Sequence, residues 1–330
     1  MPPKKRPGRS SRSGAMEERQ TPDHTLPSAR EPPDNGSVQF ISSGPKGKTT
    51  SPPTFTSFQV PAGSKSIPCL RSYPPSSSPM SLVFTHGAGG GLSAPAMMNF
   101  MHGFASTGST ITCFQGNMNL KGRVAMFATV LDYEKEEAMK KNATMDVAGL
   151  AFGGRSMGSR AAVIASHTHE SINLLVLASY PLVGPGGDVR DQILLDIRPE
   201  VQVLFISGDG DSMCDLAQLA KLRGKMKAKT WMVVVKGADH GMNLKKGTEE
   251  VGKETGRIAA RWIRERDEGL TEMVLRWDGP SEQVVGAWGD NDAQAGEGQS
   301  APVKGGIKRY FAKTEDKQSS SEAKRKRTMK

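Results

Sequence analysis

Residues 149–166 read Gly149-Leu150-Ala151-Phe152-Gly153-Gly154-Arg155-Ser156-Met157-Gly158-Ser159-Arg160-Ala161-Ala162-Val163-Ile164-Ala165-Ser166. The apolar run Gly149 to Phe152 predicts a buried strand, Ser159 to Ser166 predicts a helix, and the serine falls on the tight turn between them. A sharp strand-to-helix turn lifts a hydroxyl above the edge of a sheet. Glycines flank it because a Cβ would not fit between strand and helix. Ser156 is therefore the candidate nucleophile, and the Met157 N–H, at the start of the helix, is placed to stabilise an oxyanion.

The groups such a serine needs follow in order along the chain. Val201 to Ser207 reads as a buried strand running into Gly208-Asp209-Gly210-Asp211, a loop with two carboxylates. Asp211 is the preferred triad acid and Asp209 its competitor; either could instead cap a helix beginning near Ser212-Met213. Thr230 to Val235 is a third strand, ending in Lys236-Gly237-Ala238-Asp239-His240-Gly241-Met242. His240 would take the Ser156 proton and return it to the leaving group, with the acid fixing the imidazole tautomer. Upstream, the strand Ser81 to Thr85 leads into His86-Gly87-Ala88-Gly89-Gly90-Gly91. A backbone N–H from Gly87, Ala88 or Gly89 supplies the second oxyanion donor, with His86 supporting the turn. Arg155 either selects an acidic substrate or points away along the helix.

FTHGAGGG, GGRSMGSRAA, ASYPL, ISGDGD and GADHGM, taken in this order, resemble the KANL3/Tex30 group of α/β-hydrolase-like proteins, relatives of the dienelactone hydrolases. The likeness spans roughly Phe55 to Asp267. It implies an α/β-hydrolase fold with Ser156 as nucleophile, His240 as base and Asp211 as acid; the expected reaction is cofactor-free hydrolysis of a small ester or acyl substrate. The group also contains subunits of a chromatin acetyltransferase complex, so the resemblance implies the fold more firmly than catalysis, and the alternative is an adaptor that uses the hydrolase fold as a docking module in a chromatin or replication complex.

The formal net charge is +10, but it is unevenly held. Residues 1–71 carry 11 basic and 5 acidic residues, and residues 301–330 carry 10 and 3, leaving 23 and 26 for the middle. A mildly acidic central region argues against a dedicated nucleic-acid surface, leaving weak contacts through the tails. Lys4, Lys5 and Arg6 near one end and Lys324, Arg325, Lys326 and Arg327 near the other are basic clusters of nuclear-import type, so a nuclear protein is expected. Three widely spaced cysteines, Cys69, Cys113 and Cys214, form no C-x-x-C and suggest a reducing compartment. No apolar run approaches the roughly 18 residues of a spanning helix, so no membrane association is expected. His102, His167 and His169 lack acidic or cysteine partners, and no metal is expected.

Residues 1–50, rich in Pro, Ser, Gly and charge, are expected to form a disordered basic tail. Residues 51–270 are expected to form the hydrolase domain, opening on a hairpin of Phe55 to Val60 and Ile67 to Arg71. Strand-helix alternation then predicts a mostly parallel central sheet with helices on both faces. Trp262, on a helix from about Glu249 to Arg266, is expected to cover the sheet edge. Met97, Met98 and Met101 are core fillers or line an acyl pocket. About 18 residues join Leu182 to Val201, which leaves no room for a large lid, although Val183 to Arg190 could cover part of a shallow site.

Residues 271–330 are expected to be a disordered linker and basic tail. Within it, residues 304–311 resemble the PCNA-interacting peptide. Ile307, Tyr310 and Phe311 match its aliphatic and aromatic positions, while Lys304 stands where glutamine is expected. One helical turn puts those three side chains on one side, forming an apolar plug for a partner's pocket.

Overall fold

The computed structural model describes residues 39–41, 53–73, 80–140 and 149–289. The strands are β1 Gln39–Ile41, β2 Thr54–Ala62, β3 Lys65–Tyr73, β4 Met80–Thr85, β5 Thr110–Phe114, β6 Ala151–Arg155, β7 Leu174–Ala178, β8 Gln202–Gly208, β9 Lys229–Val235, β10 Glu272–Asp278 and β11 Gln283–Trp288. The helices are α1 Pro95–Ala105, α2 Leu120–Lys140, α3 Met157–Ser166, α4 Gln192–Leu195, α5 Leu216–Arg223 and α6 Thr248–Glu265. All the described strands join one sheet in the order β1-β11-β10-β9-β8-β7-β6-β4-β5-β3-β2. The run from β5 to β10 is parallel, and the outer strands on both sides pair antiparallel.

Burial on both faces explains why the central strands read as continuous apolar runs. Along β7, Leu175 and Leu177 enter one core, with Phe127 of α2 and Ala161 of α3, while Leu174, Val176 and Ala178 enter the other, with Phe100 of α1 and Ile258 of α6. Helices α1 and α6 pack closely because of glycine. A Cβ on Gly103 would lie 1.7 Å from the Lys253 carbonyl oxygen, and one on Gly256 would lie 2.1 Å from that of Phe100. On the opposite face α2 is tied to the sheet by Glu134, which accepts from Arg71 at 3.0 Å and from Thr112 at 2.8 Å.

Two boundaries differ from those expected from sequence. Residues 272–278 and 283–288, expected to be linker, form β10 and β11, with Met273, Leu275, Val284 and Ala287 buried. Residues 39–41, expected to belong to the tail, pair with β11. The physical reason is edge protection: β9 carries Trp231 and Val233 in the core, and β10 supplies the ladder partner its backbone needs. Trp262 accordingly does not cover an edge. It packs edge-on against Trp231 of an interior strand, at 5.5 Å between ring centroids. Of the expected tails at 1–50 and 271–330, residues 1–38, 42–50 and 290–330, including Lys4, Lys5, Arg6, Ile307, Tyr310, Phe311 and Lys324 to Arg327, lie outside the described residues. Among the described residues no helix is long and apolar enough to cross a membrane.

Candidate active site

Strand β5 lies on one side of β4 and β6 on the other, so the direction of chain winding reverses between β4 and β6. The crevice beyond their carboxyl ends is where such sheets bind ligands. The β4–α1 loop, starting at His86, and the β6–α3 turn, at Ser156, meet there.

Strand β6 runs three residues further than its apolar run predicts, through Gly153, Gly154 and Arg155. Ser156 then turns the chain at φ 53°, ψ −116°, a region that costs a non-glycine residue roughly 1–3 kcal/mol. The surroundings hold it there. Its N–H donates to the Ala178 carbonyl at 2.9 Å, and its carbonyl accepts from the Ser159 N–H at 3.0 Å and the Ser159 hydroxyl at 2.6 Å. A Cβ on Gly154 would lie 2.3 Å from the Gly158 carbonyl carbon, and one on Gly158 would lie 2.5 Å from the Thr85 carbonyl oxygen. The glycines therefore let strand, helix and neighbouring loop touch backbone to backbone. Met157 is the first residue of α3, whose opening N–H groups have no intrahelical acceptor, so its N–H is available to a ligand.

Ser156, His240 and Asp211 are brought into one hydrogen-bonded chain. The Ser156 hydroxyl lies 2.8 Å from His240 Nε2, and His240 Nδ1 lies 2.9 Å from both Asp211 oxygens. An ionised carboxylate only accepts, so Nδ1 carries the proton and Nε2 is left as the acceptor for the serine. The Asp211 side chain is wholly buried, and its Oδ1 also accepts from the Met213 N–H at 2.8 Å. Asp209 braces the end of β9 instead, accepting from the Gly237 N–H at 2.7 Å and pairing with Lys236 at 3.6 Å. Neither carboxylate caps the following helix, which starts at Leu216 with Asp215 accepting from the Gln218 N–H.

Arg155 does not run along the helix. Its guanidinium turns to the histidine loop and donates to the His240 carbonyl oxygen. Burial lowers its pKa, and the nearby Asp211 and Asp239 carboxylates oppose that. The loop is also closed on itself, because Asp239 accepts from the Asn243 N–H at 2.9 Å and from its amide at 3.1 Å. Behind it lies a narrow cleft lined by Arg155, Met242, Phe84, Phe100 and Asn99. Met97 and Met101 are core residues, while Met98 lines an open groove with Gly90, Gly91 and Gln115.

The loop expected to hold the second oxyanion donor borders the serine: a Cβ on Gly87 would lie 3.3 Å from Ser156 Cβ. His86 supports this turn, as expected. Its Nε2 accepts from the Gly116 N–H at 3.0 Å, so Nδ1 is the protonated nitrogen and donates to the Gly87 carbonyl at 2.7 Å. Burial and the charge of Arg123 hold its pKa below the usual value, keeping it neutral. Arg123 itself was missed from sequence. It sits in an ordinary amphipathic helix, and no motif marks it.

The sequence profile of the alpha/beta hydrolase domain matches residues 78–265, more than half of the chain. The chain belongs to the α/β-hydrolase family. Among solved structures it resembles an alpha-beta serine hydrolase homologue from Coxiella burnetii, with a TM-score of 0.50 and 14% identity over 62% of this chain and 96% of that one. It also resembles a dienelactone hydrolase from Anabaena variabilis, with a TM-score of 0.50 and 14% identity over 64% of this chain and 98% of that one. At that identity the likeness concerns the fold.

Proposed function

We propose that the protein is a serine hydrolase that cleaves small carboxylic esters or thioesters without a cofactor. The observation that carries this reading is the unbroken relay from Ser156 through His240 to the buried Asp211. Ser156 Oγ attacks the ester carbonyl carbon while His240 Nε2 takes the hydroxyl proton. The carbonyl oxygen becomes an oxyanion, held by the Met157 N–H and a donor from Gly87, Ala88 or Gly89. Collapse breaks the bond to the leaving oxygen or sulfur, which receives the proton from His240 and departs, leaving an acyl-Ser156 ester. Water, deprotonated by His240, then attacks that ester. The acid leaves, and the proton returns to Ser156. Incubation with p-nitrophenyl acetate should acetylate the peptide containing Ser156, as read by mass spectrometry. Turnover with the acyl group on another residue, or no acylation at all, would contradict the reading.

We further propose that the protein is of the KANL3/Tex30 type and works in the nucleus. The joint order of its motifs supports the first point and the two terminal basic clusters the second. Deletion of both clusters should abolish nuclear enrichment of a tagged chain; an unchanged distribution would count against it.

A further inference from the structure

Arg123 lies in α2 at 0% exposure, and among the described residues no carboxylate pairs with it. A buried cation without a counter-ion is costly unless other groups solvate it. Burial pushes its pKa down to about 10, so it keeps its charge at neutral pH. Backbone carbonyls do the solvating. Nη1 donates to the His86 oxygen at 2.5 Å and the Gly87 oxygen at 3.0 Å, Nε donates to the Asn117 oxygen at 2.9 Å, and Nη2 donates to the oxygens of Gly116 at 3.2 Å and Asn117 at 2.6 Å.

The direction of these bonds matters. In a trans peptide the carbonyl and the next N–H point opposite ways. Carbonyls of His86 and Gly87 that turn toward Arg123 therefore send the N–H groups of Gly87 and Ala88 away from it. Ser156 lies next to that same stretch, with its Oγ 3.9 Å from where a Gly87 Cβ would stand. His86 shares the Gly87 carbonyl, and its other nitrogen is held by Gly116, so the two loops and the guanidinium form one network. Hydrogen bonds that polarise a carbonyl also strengthen the N–H of the same peptide as a donor.

We propose that Arg123 is the positioning residue of the oxyanion loop: by binding the His86 and Gly87 carbonyls it aims the Gly87 and Ala88 N–H groups at the acyl oxygen above Ser156 and sets a buried positive charge behind them. The inference rests on the serine hydrolase reading and deepens it. A role limited to gluing two loops together would weaken folding without favouring the anionic state of the substrate over its ground state.

The test uses the full chain, as parent, Arg123→Lys and Arg123→Met, with p-nitrophenyl acetate as substrate and phenylboronic acid as a probe that becomes a tetrahedral anion on the serine. Arg123→Met should lose about 100-fold in kcat, the order seen when an oxyanion donor is removed. KM should stay within about twofold, and boronate affinity should fall in parallel with kcat. Arg123→Lys, which keeps the charge but not the fork, should fall between. Parent kcat and boronate affinity in a folded Arg123→Met would overturn the proposal, as would a kcat loss with undiminished boronate affinity. If Arg123→Met does not fold, the same two readouts on Arg123→Lys decide. Should the parent neither turn over nor acylate at Ser156, the hydrolase reading fails instead. Crystal structures then judge Arg123 alone: a rotated Gly87–Ala88 peptide in Arg123→Lys supports its role, and an unmoved one overturns it.

Discussion

Arg155, the residue immediately before the candidate nucleophile, donates a hydrogen bond to the carbonyl oxygen of His240, 85 positions later in the chain. The end of β6 thus grips the backbone of the histidine loop, and the distance between Ser156 and the imidazole is set from both partners. Arg155→Met should lower kcat about tenfold with little change in KM, in line with roughly 1.5–3 kcal/mol for a charged hydrogen bond only partly expressed at the transition state. Arg155→Lys should recover part of the loss. Steady-state kinetics on a p-nitrophenyl ester checks this; a rise in KM with unchanged kcat would instead make Arg155 a substrate-binding residue.

The two carboxylates of the β8 loop separate cleanly. Asp211→Asn would present an amide donor to Nδ1, favour the wrong imidazole tautomer and remove the charge that stabilises the imidazolium. A loss of about 10⁴-fold in kcat is expected. Asp209→Asn keeps an oxygen for the Gly237 N–H and should change kcat by no more than a few-fold. Measuring both variants side by side gives the comparison.

The elbow's glycines are a matter of space. Gly154→Ala sets a methyl 2.3 Å from backbone carbon, which must move, and should cost about 3 kcal/mol or more, beyond the usual overpacking range. Gly89→Ala meets nothing within 4 Å and should be within about 0.5 kcal/mol of the parent. Urea titrations followed by tryptophan fluorescence report both.

A chain ended at 270, the domain boundary expected from sequence, loses β10 and β11. Met273, Leu275 and Val284 are nearly fully buried, and at about 1.5–3 kcal/mol for each large apolar side chain the loss is comparable with a typical domain's whole stability of about 5–15 kcal/mol. Such a chain should be insoluble or lack a cooperative thermal transition, whereas one ended at 289 should melt as the parent does.

The central fold and the residues that form the Ser156–His240–Asp211 hydrogen-bonded chain were legible because both are written locally. The central parallel strands β4 to β9 are buried on two faces and so appear as apolar runs, and each candidate site residue falls on the loop that follows such a run. The β10–β11 hairpin was also written in the chain, as two apolar runs about the Asp278 to Glu282 turn, but the glycine-rich stretch beyond it masked the signal. Strand β1 has only three residues, too few for a periodicity. Arg155 was seen and its direction was not, since the histidine loop it binds is distant in sequence. Arg123 was invisible for a different reason: a buried arginine solvated by carbonyls leaves no partner residue type to search for.

The central claim is that Ser156 is an activated nucleophile, and labelling with a fluorophosphonate serine probe tests it most directly. The parent should label, while Ser156→Ala and His240→Ala, shown to be folded by their melting curves, should not. A well-folded parent that stays unlabelled, or a Ser156→Ala variant that labels like the parent, would contradict the account and turn the search toward docking partners.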